Sequence, residues 1–229
     1  MVLYKFKTLD PFVHIVDLLL TRRLYCPRPS ELNDPLEGLL GRSLPKPTSS
    51  LNSNQPLEHA IRFWSATTQE INRYRLCCFS AIPDSLLMWS HYGNGHSGIC
   101  LELDLAGYED KIVPVEYLAD LAPLEGASVT DLLRYKTQHW SHEREHRLIF
   151  PRDTEPKYIR ASIKAILIGT GIKDEYIRPL FELCRIMKYK REFVSFSTAG
   201  EFRRIPLSDA SWDDLADGKG SMLDLWKGA

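Results

Sequence analysis

How this chain folds depends most on residues 140–150, WSHEREHRLIF, which carry the densest run of charged side chains in the sequence. A helix would place Glu143 and Arg147 in an i,i+4 ion pair facing solvent. A strand would place Glu143, Glu145 and Arg147 on one face, with Arg144 and His146 on the other, because side chains alternate along a strand. The apolar residues 148–150 follow directly and favour the strand.

The strand interpretation brings two carboxylates and a guanidinium together. Burying such a group is costly unless a ligand or water satisfies it, so the sequence predicts a pocket there. We expect the turn Asn33-Asp34-Pro35-Leu36-Glu37 to face the same pocket. In one interpretation this turn is only structural, since Asn and Asp side chains accept hydrogen bonds from nearby backbone N–H groups. In the other, the turn holds the side-chain oxygens of Asn33, Asp34 and Glu37 rigidly for a ligand.

Outward from residues 140–150, short strands and helices intermingle irregularly. Strands are predicted at residues 2–7, 24–26, 75–80, 97–104, 112–117, 143–150, 163–169, 193–197 and 202–205. Helices are predicted at residues 11–23, 56–74, 128–140 and 173–188, and after the cap Asp84-Ser85 through Tyr92. No Gly-rich turn follows the first strand, which excludes the Rossmann fingerprint and the P-loop. The pattern indicates an α+β fold with a mixed, partly split β core flanked by helices.

Length and composition favour one domain with elaborations, with two domains as the alternative. The chain has 229 residues, of which 44% are hydrophobic and 26% are charged, as in an ordinary globular protein. We assign residues 1–207 to a single domain. Residues 41–56 are rich in Ser, Pro and Asn and are predicted to form a flexible surface excursion, and residues 208–229 are predicted to be a loosely ordered tail.

The charge and cysteine content predict a cytoplasmic protein without a membrane partner. The chain has 29 basic and 30 acidic residues, so no bulk field attracts nucleic acid or anionic lipid. Its five cysteines follow no C-x-x-C spacing and fit a reducing compartment. Residues 1–7 lack the apolar run of a signal peptide, and no stretch approaches the length of a membrane span.

The helix after Phe79-Ser80 carries Met88, Trp89, His91 and Tyr92 within about one turn. We expect Met88 and Trp89 to belong to the core. His91 and Tyr92 fit a binding site as well, since one titrates near neutrality and the other combines a flat apolar face with a polar tip.

A basic cluster near the carboxyl end admits two interpretations. It comprises Arg185, Lys188, Lys190 and Arg191, with Tyr189 among them. In the first interpretation these side chains contact nucleic acid. In the second they form the solvated carboxyl end of a helix, where cations interact favourably with the helix dipole. The sequence favours the second interpretation.

The order and spacing of several short motifs over residues 1–170 resemble the bacterial family known as domain of unknown function 2971. The motifs are Tyr4-Lys5-Phe6, Asn33-Asp34-Pro35-Leu36-Glu37, Cys78-Phe79-Ser80, Met88-Trp89-Ser90-His91-Tyr92, Gly98-Ile99-Cys100, Val115-Glu116-Tyr117 and Trp140 with Glu143, Glu145 and Arg147. This resemblance implies a family without implying an activity.

A second resemblance is to ADP-ribosyltransferases, including the DarT-like toxins that modify DNA. Those enzymes have a split, mixed β core with an early strand residue, a middle strand ending in Ser or an aromatic residue, and a late strand carrying Glu. Tyr4-Lys5, then Ser80 with Tyr92, then Glu143 and Glu145 are similar in order, although neither His nor Arg occurs in Tyr4-Lys5-Phe6.

This second resemblance implies NAD as cofactor, a protein or nucleic-acid acceptor, and a role in toxicity or phage defence. The catalytic candidates are Glu145, Glu143, Ser80 and Tyr92, and the candidates for binding the nucleotide are Tyr4, Lys5, Asn33, Asp34, Glu37, Trp89, His91 and Arg147. Glu145 would stabilise the oxocarbenium-like state of ribose as nicotinamide leaves, with Glu143 toward the acceptor. Tyr92 or Trp89 would stack on nicotinamide, and Arg147 or Lys5 would hold a phosphate.

Two other functions fit the same residues. In a metal-dependent hydrolase or nuclease, a divalent ion would be held by hard oxygen ligands together with a histidine, although no H-E-x-x-H spacing supports it. The oxygen ligands would come from Asp34, Glu37, Glu143 and Glu145. In a non-catalytic binding module, the same groups would recognise a ligand without breaking a bond.

Overall fold

The computed structural model describes residues 1–34, 65–66, 68–119, 128–151 and 156–219, which form an α+β fold. The chain divides into two compact units. Unit one comprises Met1–Leu24, Phe79–Glu109 and Arg160–Ala229, and unit two comprises Tyr25–Cys78 and Asp110–Ile159. The assignment of residues 1–207 to one domain stays a prediction, and the excursion at 41–56 lies outside the described residues.

Unit one contains most of the long strands. They are β1 (Val2–Lys7), β4 (Ile99–Asp104), β10 (Ser162–Gly169), β11 (Lys190–Phe196) and β12 (Phe202–Pro206), in the order β12-β11-β10-β4-β1. β10 and β11 are parallel, and the other neighbours in this series are antiparallel. The Ser80 end of β3 (Arg75–Ser80) pairs with β1 opposite Tyr4. The sheet of this unit is therefore mixed, as the sequence predicts.

Four of the helices that the structure describes belong to unit one. They are α1 (Phe12–Thr21), α2 (Leu86–His91), α4 (Asp174–Met187) and α5 (Asp209–Ala216). The Ser85 side chain caps α2 by accepting the Met88 N–H, as predicted. A hydrophobic cluster from the strands and α2 forms a core of Phe6, Met88, Trp89, Cys100, Leu167 and Val194.

Unit two consists of shorter elements. Residues 75–78 of β3, β8 (Glu145–Phe150) and β5 (Ile112–Pro114) follow one another in that order in the sheet, and β6 (Glu116–Leu118) pairs in parallel with β7 (Tyr135–Thr137). The unit also contains α3 (Val129–Leu132) and the 3-10 helices Pro29–Glu31 and Gln138–Glu143. A further 3-10 helix, Glu109–Lys111, and the paired strands β2 (Arg23–Tyr25) and β9 (Tyr158–Arg160) lie where the chain passes between the units.

The boundaries at residues 2–7 and 75–80 are confirmed, but three details of the sequence interpretation are wrong. Residues 112–117 form two strands, because β5 pairs with β8 whereas β6 pairs with β7. The helix predicted at 128–140 ends at Leu132, although Ser128 and Asp131 cap its start. The helix predicted at 11–23 is Phe12–Thr21, and its N-cap is Pro11, without a side-chain bond.

Two predicted segments lie only partly within the described residues. Of the helix predicted at 56–74, residues 65–66 and 68–71 are helical. Within the predicted tail, Asp209–Ala216 is the helix α5, which contacts α4. None of the helices that the structure describes combines the length and apolar character needed to cross a membrane.

Close backbone packing at β10 requires glycine. A Cβ atom on Gly169 would lie 2.1 Å from the carbonyl oxygen of His96, and one on Gly98 would lie 2.3 Å from that of Lys7. Both neighbours are backbone atoms, which cannot rotate away as a side chain can. This approach fixes the segment of residues 93–98 against the ends of β1 and β10.

We expect Gly169→Ala to lower the free energy of unfolding by about 3 kcal/mol, the upper end for overpacking. Gly107→Ala is the comparison, because Gly107 has φ of +88° but no atom within 4 Å of a Cβ. There the cost is only that of the left-handed backbone, about 1 kcal/mol. Urea unfolding of both variants measures the difference, and an equal or smaller loss in Gly169→Ala contradicts the packing argument.

Candidate functional site

Four charged side chains are buried together in unit two. Lys136 comes from β7, Glu143 from the end of the 3-10 helix Gln138–Glu143, and Glu145 and Arg147 from β8; their exposed fractions are 3%, 3%, 5% and 0%. We call these four residues the charged cluster. Removing single charges from water is costly, so a buried group of this kind is stable only when every charge is paired.

The pairing within the charged cluster is complete. Arg147 binds Glu145 through two parallel hydrogen bonds, from Nε to Oε1 at 2.7 Å and from Nη2 to Oε2 at 2.9 Å. Lys136 Nζ lies 2.6 Å from Oε2 of Glu143 and 3.1 Å from Oε2 of Glu145. Two cations therefore balance two carboxylates, and Nη1 of Arg147 also donates to the Leu133 carbonyl at 2.7 Å.

The strand periodicity explains half of this arrangement. Glu145 and Arg147 are two residues apart on β8, so both point to the same face. The strand prediction is confirmed for residues 145–150 and is wrong for Glu143. Arg144 has φ of +43° and ends the 3-10 helix, so the extended backbone begins only at Glu145. Glu143 joins the cluster from the 3-10 helix, where it pairs with Lys136.

Polar and aromatic groups surround the charged cluster. The Tyr117 hydroxyl accepts the backbone N–H of Glu145 at 2.8 Å. The ring of Trp140 lies 4.8 Å from Lys136 Nζ, a cation–π distance. Cys78 on β3 adds a side-chain hydrogen bond to Glu145. These contacts fix Glu145 through both its backbone and its carboxylate.

The pairing decides which groups are ionised. Burial alone would raise the pKa of Glu145, but the charges of Arg147 and Lys136 outweigh it and hold the pKa well below its ordinary value. Burial alone would lower the pKa of Lys136, but the charges of Glu145 and Glu143 outweigh burial and raise that pKa above its ordinary value. Burial, with the nearby carboxylates, raises the pKa of Tyr117 to about 12.

The chemistry open to this cluster follows from those charges. Near neutral pH Glu145 is a carboxylate, so it offers fixed negative charge and cannot donate a proton. Lys136 stays an ammonium ion and is a poor nucleophile. Arg147 is a predicted phosphate contact, but its guanidinium is buried and donates to Glu145 and to the Leu133 carbonyl, which weakens that prediction.

Three candidates lie at the junction of β1 and β3 in unit one. Tyr4 stands opposite Ser80 in the strand register. The Ser80 hydroxyl is buried and bonded to its own turn, donating to the Ile82 carbonyl at 2.9 Å and accepting the Ile82 N–H at 3.2 Å. Lys5 Nζ lies 5.5 Å from the ring centre of Phe79.

Helix α2 divides its aromatic candidates between core and surface. Trp89 is 0% exposed, donates its Nε1–H to the Pro83 carbonyl at 2.8 Å and meets Phe6 edge to face. The expectation that it belongs to the core is confirmed, and its burial rules out stacking on nicotinamide. Tyr92 is half-buried and His91 exposed, with ring centres 6.5 Å apart.

The predicted candidates therefore fall in both units. Unit one contains Tyr4, Lys5, Ser80, Trp89, His91 and Tyr92, and unit two contains Asn33, Asp34, Glu143, Glu145 and Arg147. Asp34 is buried and Asn33 is exposed, whereas Glu37 lies outside the described residues. The structure brings together Glu143, Glu145 and Arg147 in one unit, and Tyr4 with Ser80 in the other.

Lys136 and Tyr117 were missed by the sequence analysis. Residues 128–140 were predicted as one helix, so Lys136 was assigned no partner. The available signal was Tyr135-Lys136-Thr137 itself, since an aromatic and a β-branched residue flank the lysine as they do in strands.

Three of the four cations in the basic cluster near the carboxyl end form ion pairs. Arg185 pairs with Glu182, Lys190 with Glu192, and Arg191 with Asp209. The pairing supports the interpretation as a solvated helix end and weakens the one as a nucleic-acid contact. Among the described residues, no group of three or more His, Cys, Asp or Glu side chains is placed to hold a metal ion.

A scan against protein-family models gave no match, and searches of curated proteins and of solved structures gave no significant match. The resemblances to the family of unknown function and to ADP-ribosyltransferases thus stay predictions.

We expect Lys136→Met to lower the free energy of unfolding by about 3 kcal/mol, because it leaves a buried carboxylate without its cation. Lys111→Met is the matched control in the same unit, since Lys111 is exposed. Its effect should stay within about 0.5 kcal/mol. Chemical denaturation of both variants measures the contrast, and similar small losses would show that the charged cluster contributes little.

The charged cluster should also give the protein an acid-sensitive component of stability. The folded pKa of Glu145 lies below the ordinary value of 4.5, so its contribution is complete above that pH and is lost as the pH falls below it. For Lys136 and Tyr117 the folded pKa is raised above the ordinary 10.5 and 10.0, so their contributions are lost only in alkali.

Urea unfolding from pH 2 to 8 should therefore show a stability difference between wild type and Glu145→Gln that shrinks below pH of about 4.5. Taking the difference cancels most of the contribution of the carboxylates outside the charged cluster, since the substitution does not alter their surroundings. A difference that stays constant over this range would contradict the assignment of a lowered pKa to Glu145.

Proposed function

We propose that this chain is an NAD-consuming enzyme resembling ADP-ribosyltransferases, in which the carboxylate of Glu145 acts on the nicotinamide-linked ribose. The acceptor would be a protein or a nucleic acid, and the biological role that of a toxin or phage-defence effector.

The observation that carries the proposal is the buried, oriented carboxylate of Glu145 on the late strand β8. The resemblance assigns its positions to an early strand, a middle strand ending in Ser and a late strand with Glu, which are β1, β3 and β8. In unit one, β1 pairs with β3 through Tyr4 and Ser80. In unit two, β8 with Glu145 is next to β3 in the sheet.

The charge state of Glu145 suits this reaction. As the bond between nicotinamide and ribose breaks, positive charge develops on the sugar, and a carboxylate already in place stabilises it. The pKa of Glu145 is held low by Arg147 and Lys136, so the group is ionised throughout the physiological range. Fixed orientation adds to the effect, because an oriented charge need not reorganise during the reaction.

Other residues would have supporting roles. Glu143 lies two residues before Glu145 and would face the acceptor. His91, which is exposed, and Tyr92, which is half-buried, lie at the carboxyl end of α2 and would contact a ring of the nucleotide. Lys5 remains the candidate for a phosphate, since Arg147 is occupied by Glu145.

A second candidate is a non-catalytic binding module. It is favoured by the internal pairing of the charged cluster and by the Ser80 hydroxyl, which bonds its own turn. Such a module would be stabilised by a nucleotide-like ligand without forming product.

The test is release of nicotinamide from NAD, with transfer of labelled ADP-ribose to protein and DNA measured in parallel. Glu145→Gln keeps the size of the side chain and removes its charge, so we expect nicotinamide release to fall at least about 100-fold, as for loss of one electrostatic stabiliser. Glu143→Gln should reduce transfer more than release.

Glu116→Gln is the matched control, because Glu116 is 51% exposed in the same unit and pairs only on the surface with Arg134. It should change release less than about twofold, since surface pairs of this kind contribute little. Equal release by wild type and folded Glu145→Gln would remove Glu145 from the mechanism. Stabilisation by NAD without any product would instead favour the binding module.

A further inference from the structure

We infer that Lys136 is a positioning residue that, together with Arg147, holds the carboxylate of Glu145 in one orientation. The inference rests on the proposed function, in which Glu145 acts on ribose, and it adds a residue that neither resemblance assigns.

Two cationic side chains contact the carboxylate of Glu145. Oε1 of Glu145 accepts from Arg147 Nε at 2.7 Å, and Oε2 accepts from Arg147 Nη2 at 2.9 Å. Lys136 Nζ reaches the same Oε2 at 3.1 Å. A bidentate pair with a guanidinium fixes the plane of a carboxylate, and a third cationic contact opposes its rotation about that pair. Glu145 is therefore held by two cations from two different strands.

Lys136 is itself held in place by Glu143 and by the ring of Trp140. Its Nζ lies 2.6 Å from Glu143 Oε2 and 4.8 Å from the centre of the Trp140 ring. The side chain is buried, so it cannot move into water without losing both contacts. A lysine usually carries considerable rotamer freedom, and here that freedom is already lost before any ligand binds.

The pairing of β6 with β7 connects the two strands that contact Glu145. Tyr117 and Lys136 are register partners in this parallel pair. Tyr117 accepts the backbone N–H of Glu145 at 2.8 Å, and Lys136 contacts its carboxylate. One two-stranded sheet thus holds both ends of the same residue. This coordination of backbone and side chain is what a positioned catalytic group needs.

The charges in the cluster distinguish positioning from simple packing. The groups facing Glu145 are Cys78 on β3, Tyr117 on β6, Lys136 on β7, Glu143 at the end of the 3-10 helix and Arg147 on β8. Removal of Lys136 leaves two carboxylates with one cation. Burial then favours a proton on one of them, so Glu145 loses both a contact and part of its ionisation.

The experiment compares the full-length wild type with Lys136→Met, Lys136→Gln, Lys136→Arg and the exposed control Lys111→Met. Carbon-13 NMR follows the titration of the Glu145 carboxyl group, with Glu145→Gln to assign its signal. We expect the apparent pKa of Glu145 to rise by at least about one pH unit in Lys136→Met and Lys136→Gln, since an opposite charge at this distance shifts a pKa by about that amount. Lys136→Arg should restore most of the shift, and Lys111→Met should leave the titration unchanged.

The second readout is the pH profile of nicotinamide release. The acid limb of the profile should move upward in Lys136→Met and Lys136→Gln, in step with the NMR titration. A variant that is only partly folded would lower the whole profile without moving its limb, and circular dichroism at each pH identifies acid unfolding. Lys136→Gln keeps a hydrogen-bond donor, so the comparison stands if Lys136→Met does not fold.

The outcomes separate two failures. A Glu145 titration and an acid limb that coincide with those of wild type in the Lys136 variants overturn the inference, whatever the activity. If wild type releases no nicotinamide, the proposed function fails, and the NMR titration alone then decides whether Lys136 sets the state of Glu145. A shifted titration in the charge-removing variants that Lys136→Arg reverses supports the inference.

Discussion

The bidentate pair between Arg147 and Glu145 is the constraint on which the rest of unit two depends. Both residues lie on one face of β8 and are almost wholly buried, so neither charge is tolerated without the other. Glu143 brings a second carboxylate, which requires a second cation, and Lys136 supplies it. The short strand β7 and the 3-10 helix Gln138–Glu143 are thereby tied to β8 through charge as well as through apolar packing. Replacing a buried ion pair by apolar residues of similar volume is often neutral or stabilising, so the charged cluster is consistent with the oriented carboxylate that the proposed function needs.

The sequence predicts the long strands well and the short ones poorly, for a physical reason. β1 and β3 have enough alternating or continuous apolar residues to define their own boundaries, and both are placed correctly. The face shared by Glu145 and Arg147 follows from the same period of two. β6 and β7 have three residues each, too few for a period, and they are strands because each pairs with the other. Lys136 was missed for that reason. Glu143 was misplaced because the left-handed backbone at Arg144 interrupts the strand, and the sequence gives no sign of it.

The candidate residues that follow from resemblance meet different outcomes in the two units. In unit one, Tyr4 and Ser80 are strand partners, but Trp89 is core and the Ser80 hydroxyl is used by its own turn. Tyr92 and His91 retain the surface that a nucleotide ring would need. In unit two, Glu145 has the ionisation and the rigid support expected of a group that stabilises positive charge. Arg147 contacts the carboxylate of Glu145, and of the two residues proposed for a phosphate only Lys5 lies outside the charged cluster.

The most direct test of the central claim is a crystal structure of the protein with an NAD analogue that resists cleavage. If Glu145 acts on the ribose, a hydroxyl of the nicotinamide-linked ribose lies within hydrogen-bond distance of Glu145, about 3 Å, while Arg147 and Lys136 keep their contacts with that carboxylate. An analogue bound elsewhere, with Glu145 contacting only Arg147, Lys136 and Tyr117, would contradict it and leave the charged cluster as a structural feature alone.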